Sequence, residues 1–156
     1  MITVSLITSP ADLDHAFAIR REVFVDEQHV SADDEYDEFE PTSRHFLACI
    51  NDQPTGTARW RRTANGTKLE RFAVRKDCRG NGLGKLLVMS VLNDVFRQDA
   101  DPAGEIYLNA QLTAMPLYAG FGFVAVGPEF DECGIMHRKM VLPAKQWPVS
   151  VKSHKR

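Results

Sequence analysis

The segment best equipped for chemistry is Arg75-Lys-Asp-Cys-Arg-Gly-Asn-Gly-Leu-Gly-Lys85. Its glycines at 80, 82 and 84 lie between a β-rich run, Leu69 to Val74, and an apolar-periodic run that begins at Gly82. Backbone N–H groups in such a loop are free to converge on an anion at a helix N-terminus, so a phosphate-bearing ligand is the natural guest. Two familiar phosphate loops fail on spacing. G-x-x-x-x-G-K-[ST] is broken because Leu86 follows Gly84-Lys85, and G-x-G-x-x-G needs glycine at 83 or 85. Two charged features need partners of their own. Arg20 falls within the apolar face set by Leu13, Phe17 and Phe24, where it either snorkels over core surface or stands beside a ligand or a buried acid. Asp33, Asp34, Glu35, Asp37, Glu38 and Glu40 read as a solvated loop or short helix, with a rim for cationic substrates as the functional alternative. The glycine and closing glutamate of a calcium loop are missing, and no metal site is expected.

Regular elements must hold these groups. Ile2 to Ile7 is a short β-rich run that leads through Ser9-Pro10-Ala11-Asp12, an N-cap, a helix-starting proline and a capping-box acid, into a helix. His45 to Ile50, Thr55 to Arg62 and Lys68 to Val74 read as three strands parted by turn signals at Asn51-Asp-Gln-Pro54 and Asn65-Gly66, hence an antiparallel meander. From Gly82 to Phe96 a helix is expected, with Leu83, Leu86, Leu87, Val91, Leu92, Val95 and Phe96 on its apolar face. A strand at Ile106 to Asn109, a short helix at Met115 to Ala119 and strands at Phe123 to Val126 and Ile135 to Leu142 follow. The class is α/β with a mixed sheet of six to seven strands. Residues 1–142 form one domain, and 143–156, with Lys145, Lys152, Lys155 and Arg156, a basic C-terminal tail.

Composition removes several functions. Of 156 residues, 19 are Lys or Arg and 21 Asp or Glu, a net charge of −2 that lacks the footprint of a nucleic-acid binder. Apolar stretches are far shorter than the roughly 20 residues a membrane helix needs, and the N-terminus has no basic region before an apolar one. Neither nucleic acid nor membrane is an expected partner. Cys49, Cys78 and Cys133 are odd in number and lack C-x-x-C spacing, which suits reduced thiols and a cytoplasmic protein.

The glycine loop and its setting resemble the GNAT superfamily of N-acetyltransferases. The family's pyrophosphate loop, [RQ]-x-x-G-x-[GA], is met by Arg79-Gly-Asn-Gly82-Leu-Gly84, and its tyrosine shortly before G-F by Tyr118-Ala-Gly-Phe-Gly-Phe123. The chain is closer still to a small bacterial single-domain subgroup of poorly defined substrate. The subgroup's R-x-x-V-F-V-x-E-Q is Arg20-Arg-Glu-Val-Phe-Val-Asp-Glu-Gln28 here. Its R-H is Arg44-His45, its N-A-Q is Asn109-Ala-Gln111, and its G-I-x-H is Gly134-Ile-Met-His137. The resemblance covers residues 1–142 and implies the acyl-CoA N-acyltransferase fold, mostly antiparallel with a central splay and flanked by about four helices.

It also implies acetyl-CoA as cosubstrate. Arg79, Gly80, Asn81, Gly82, Leu83, Gly84 and Lys85 would cradle the pyrophosphate at the positive end of the helix dipole. Main-chain groups of Phe72, Ala73 and Val74 would extend a β-like ladder to the pantetheine arm and polarise the thioester carbonyl, and Asn109 matches a position that hydrogen-bonds that arm. Direct attack by an amine calls for one base and one acid about the thioester sulfur. Tyr118 matches the family's tyrosine acid. Glu70, expected to alternate with Phe72 and Val74 on one strand face, is the first candidate for the base, and His137 the second. Arg20, Glu27 and His45 are candidates for the acceptor pocket, although the acids suggest a cationic acceptor and Arg20 a carboxylate or phosphate. The expected function is acetyl transfer to a primary amine of a small molecule, without a covalent acetyl-enzyme because Cys78 and Cys133 lack partners at recognisable spacing. The alternatives are a non-catalytic acyl-CoA binding or sensing module and an acetyltransferase of protein lysines or N-termini. A homodimer is compatible with the resemblance.

Overall fold

The computed structural model describes residues 1–143, so the expected basic tail lies, apart from Pro143, outside the described residues. The chain opens with strand β1 (Ile2–Leu6) and helix α1 (Pro10–Arg20), whose N-cap Ser9 accepts the Asp12 N–H at 3.2 Å with Pro10 in the first turn. A π-helical turn, Arg21–Glu27, continues it, and the Gln28 N–H reaches back five residues to the Val23 carbonyl at 3.1 Å. Ala16, Ile19 and Val23 pack on the sheet, whereas the expected stripe members Leu13 and Phe17 are only half-buried. A four-residue helix, α2 (Ala32–Glu35), forms the start of the acidic run.

Strands β2 (Arg44–Ile50), β3 (Gln53–Thr63) and β4 (Gly66–Val74) form the expected meander. Its first turn carries Asn51 and Asp52 at positive φ, 49° and 68°. Helix α3 (Leu83–Gln98), strand β5 (Glu105–Gln111), helix α4 (Met115–Ala119) and strands β6 (Val124–Glu132) and β7 (Ile135–Val141) complete the described fold. The sheet order is β1-β2-β3-β4-β5-β7-β6, antiparallel except between β4 and β5. β6 runs six residues past its expected end because an irregularity between Val126 and Phe130 carries the pairing with β7 onward.

Helices cover both faces. Leu83, Leu87, Val88, Val91, Leu92 and Val95 of α3 are fully buried against Trp60, Leu69 and Ile106 of the sheet. Burial of each such side chain stabilises by about 1.5–3 kcal/mol. Ala16, Ile19, Val23 and Phe24 cover the opposite face over Leu47 and Ala73. Arg44 has a structural role: with Trp60 it grips the carboxylate of Asp94, tying α3 to β2 and β3 at 2.6 and 2.8 Å.

One strand pair is left deliberately short. β4 and β5 pair only at Gly66–Glu105, Thr67–Ile106 and Lys68–Tyr107, and then separate. Gly66 sets the close end, since a Cβ there would lie 2.1 Å from the Glu105 carbonyl oxygen.

Candidate active site

The separation of β4 from β5 opens the middle of the sheet. A bulge helps: the β3–β4 register shifts between Thr57 and Arg59, and Arg71 takes φ 60°. It also overturns the alternation expected along β4. Glu70 shares a face with Arg59 and Arg61, while Phe72 and Val74 pack with the core on the α3 side.

A cavity of about 390 Å³ runs from this opening to the glycine loop, lined by Phe72, Ala73, Val74, Arg79, Gly80, Gly82, Leu83 and Gly84 with Val23, Gln28, Cys78 and α4-side residues. The two long helices differ at their N-termini. α1 has Ser9 accepting the Asp12 N–H and an acid in its first turn; α3 has glycine at its N-cap, no side-chain cap and no acid in its first turn. Gly80 and Gly82 stand at φ 87° and 78°, and a Cβ at either would meet nothing within 4 Å. The loop therefore presents uncapped amides to an open space, with Lys85 exposed beside it. Such a donor set fits a pyrophosphate. Leu83 anchors the loop in the core, and Asn81 braces it by donating to the Cys78 carbonyl at 3.0 Å. Arg79 donates to the Val74 carbonyl at 3.0 Å and clasps Glu27 at 2.7 and 2.8 Å. Glu27, expected in the acceptor pocket, thus stands at the donor end, its carboxyl held low by hydrogen bonds from Arg79.

A second cavity, of about 180 Å³, lies on the other side of Phe72 and includes Asp34, Glu70, Arg71, Asn109, Gln111, Tyr118, Glu132, Cys133 and His137 in its lining. Gln28, Phe72 and Ala114 line both cavities. Gln28 and Gln111 exchange amide hydrogen bonds at 2.9 and 3.4 Å across this junction. Gln28 closes the R-x-x-V-F-V-x-E-Q motif and Gln111 the N-A-Q motif, the signal in the linear sequence that marks both glutamines.

Tyr118, brought in by α4, is 6% exposed and fixed by edge contacts with Phe72 and Phe123. Burial raises its pKa well above the ordinary phenol range, so the hydroxyl keeps its proton at neutral pH. His137, 7% exposed, stacks on Phe130 and sets Nδ1 2.7 Å from the Ile135 carbonyl. A carbonyl only accepts, so Nδ1 carries the hydrogen, which leaves Nε2 as the ring nitrogen able to take up a proton. Asn109 lines the second cavity rather than the groove. Glu70 is differently placed for proton transfer: Oε2 receives Arg59 at 2.7 Å and Arg61 at 2.6 Å, and Lys68 lies 3.3 Å from Oε1. Burial opposes its ionisation, but the three cations hold its carboxyl below the usual range. The geometry therefore disfavours the first candidate for the base.

Arg20 and His45 line neither cavity. Arg20 is 1% exposed and donates to Glu35 and Glu40 at 2.7–2.8 Å, while His45 Nε2 meets the Glu40 carbonyl at 2.8 Å. Arg59, absent from every sequence-derived list of candidates, is fully buried and joins Asp37, Glu40 and Glu70. Much of the acidic run is thus a buried counter-charge for arginines rather than a solvated loop. Together these pairs form a rigid wall behind the second cavity. Among the described residues no cluster of ligating side chains suits a metal, and the three cysteines are free.

A family model described as an acetyltransferase (GNAT) domain matches residues 9–144. The uncharacterized N-acetyltransferase YjcF of Bacillus subtilis (strain 168) is 38% identical over 130 residues, 83% of this chain and 91% of that protein. An acyl-CoA N-acyltransferase from Pseudomonas aeruginosa superposes with a TM-score of 0.74 at 26% identity, covering 90% of this chain and 97% of that one. Escherichia coli ElaA shares the fold with a TM-score of 0.76 at 24% identity, over 90% of this chain and 99% of its own.

Proposed function

The chain belongs to the GNAT acetyltransferase family and is an acyltransferase, and from that premise we propose that it moves acetyl from acetyl-CoA to a primary amine of a small molecule by direct attack. The observation that carries this reading is the junction at Gln28, Phe72 and Ala114, where an anion-cradling groove and a polar cavity share one wall. Acyl-CoA, when bound, supplies the acyl group as an activated thioester.

The residues divide the remaining work. Amides from Arg79 to Lys85, with the Arg79 side chain, hold phosphate; Phe72 to Val74 and the glutamine pair position the pantetheine end. His137 Nε2 removes the proton the amine nitrogen gives up as the C–N bond forms, and the Tyr118 hydroxyl gives a proton to the sulfur as the C–S bond breaks. Glu70 keeps the cationic wall balanced. A cavity of about 180 Å³ walled by α2, β4, β5 and the β6–β7 turn supports a small acceptor.

Calorimetric titration with acetyl-CoA, paired with thiol release against a panel of amines and longer acyl-CoAs, tests the reading. Binding with amine-dependent release, fastest for acetyl, is expected. Absence of binding, or release that needs no amine, overturns it.

A further inference from the structure

Resting on that acyl-transfer reading, we propose that the acceptor is a primary amine bearing a second positive charge, which Asp34 and Glu132 hold at the mouth of the second cavity. Four carboxylates line this cavity, those of Asp34, Glu35, Glu70 and Glu132, against two cations, Lys68 and Arg71. Most of these charges are already matched. Glu35 takes Arg20 at 2.8 Å and Arg71 at 3.3 Å, Glu70 takes Arg59, Arg61 and Lys68, and Arg71 also reaches Asp37 at 3.3 Å. The side chains of Asp34 and Glu132 have no hydrogen-bond or ion-pair partner among the described residues. They come from separate elements, α2 and the end of β6, and both flank Cys133, whose thiol is pushed up by burial and by these two carboxylates.

The inner end of the cavity carries the Tyr118 hydroxyl and the His137 ring. Tyr118 and His137 are each more than nine-tenths buried, yet the phenol hydroxyl and His137 Nε2 have no hydrogen-bond partner among the described residues. No fully buried side-chain polar atom among the described residues lacks a partner, so both groups open into the space they line. An anionic mouth over the His137 ring and the Tyr118 hydroxyl sorts acceptors by charge. A carboxylated amine would find both cations already engaged and two carboxylates repelling it. A simple alkylamine would leave the mouth without a counter-charge. A diamine meets both ends: one ammonium stays with Asp34 and Glu132, and the other nitrogen reaches His137, which takes its proton. The short α2 helix and the β6–β7 turn would then set which nitrogen is acylated.

Three probes of matched length test this: 1,4-diaminobutane, butylamine and 4-aminobutanoate, each with acetyl-CoA and the whole chain. We expect kcat/KM to fall in that order, with about a tenfold step between diamine and monoamine, and the diamine KM to rise with ionic strength. The double variant Asp34→Asn, Glu132→Gln alters surface-accessible groups and should fold; it should raise the diamine KM about tenfold and erase the step. A zwitterion that matches the diamine, a step that survives the double substitution, or a bound acetyl-CoA with no diamine turnover overturns the proposal. Failure of acetyl-CoA to bind overturns the acyl-transfer reading itself. Turnover of butylamine or 4-aminobutanoate without the diamine overturns the acceptor assignment alone.

Discussion

The donor groove takes its polar groups from the main chain, at the glycines before α3 and along the end of β4, whereas the acceptor cavity takes them from side chains on α2, β4, β5, α4, β6 and β7. A main-chain site is written in a few consecutive residues, because glycine at positive φ and a missing cap are local properties. A side-chain site is written across the whole fold, and its charges have meaning only once their partners are known. Binding and turnover should therefore fail separately when the two regions are damaged.

The largest effect falls on the wall behind the acceptor cavity. Arg59→Met removes the buried guanidinium that Asp37, Glu40 and Glu70 share, leaving Arg71 to Asp37, Arg20 to Glu40, and Arg61 with Lys68 to Glu70, and should cost about 3–5 kcal/mol of unfolding free energy by denaturant titration. A loss under about 1 kcal/mol would mean the cluster does not hold the wall. The same cluster sets the acid limit of the fold. Asp37 and Glu40 are held at about 2 by their arginines against the opposing effect of burial, so the stability they add is present above about pH 4 and is lost as pH falls toward 2. His45, kept low by burial, adds a loss that begins below about pH 6.5; Glu35, pushed up by burial, works in the opposite direction. Thermal melting from pH 6 to 2 should show a steep fall that flattens in Asp37→Asn.

Next in size is Gly82→Asp, which places a negative charge in the cradle at φ 78°. Acetyl-CoA affinity should drop by more than about 100-fold by calorimetry; the new Cβ meets nothing, but the positive φ strains any side chain there, so a modest fall in melting temperature accompanies the lost affinity. Tyr118→Phe should lower kcat by about 100-fold and leave acetyl-CoA affinity alone. Equal losses in both quantities would erase the distinction between the two regions. The smallest change is expected from Glu27→Gln, which frees an exposed Arg79 for phosphate and should tighten acetyl-CoA about two- to threefold.

Legibility in the sequence followed the same division. The capped start of α1, the meander turns, the glycine loop and Met115–Ala119 were readable because their signals are local. The π-helical turn was not, nor was the inward face of α1, which runs through Ala16 and Ile19 rather than Leu13 and Phe17. One residue inserted at Arg71 separated Glu70 from Phe72, which a period of two places together. Arg20 and the acidic run gave contradictory hints about the acceptor for a simple reason: Arg20 is the partner of Glu35 and Glu40. With those charges paired off, Asp34 and Glu132 remain, and neither stands out in a linear reading.

The most direct measurement of the central claim is the affinity of a bisubstrate conjugate, CoA joined through its sulfur and a two-carbon acyl bridge to one nitrogen of 1,4-diaminobutane. Two adjoining sites should bind it at least about tenfold more tightly than acetyl-CoA, with the gain lost in the Asp34→Asn, Glu132→Gln variant. Affinity no greater than that of acetyl-CoA would contradict the account, since the groove and the cavity would then not be two halves of one active site.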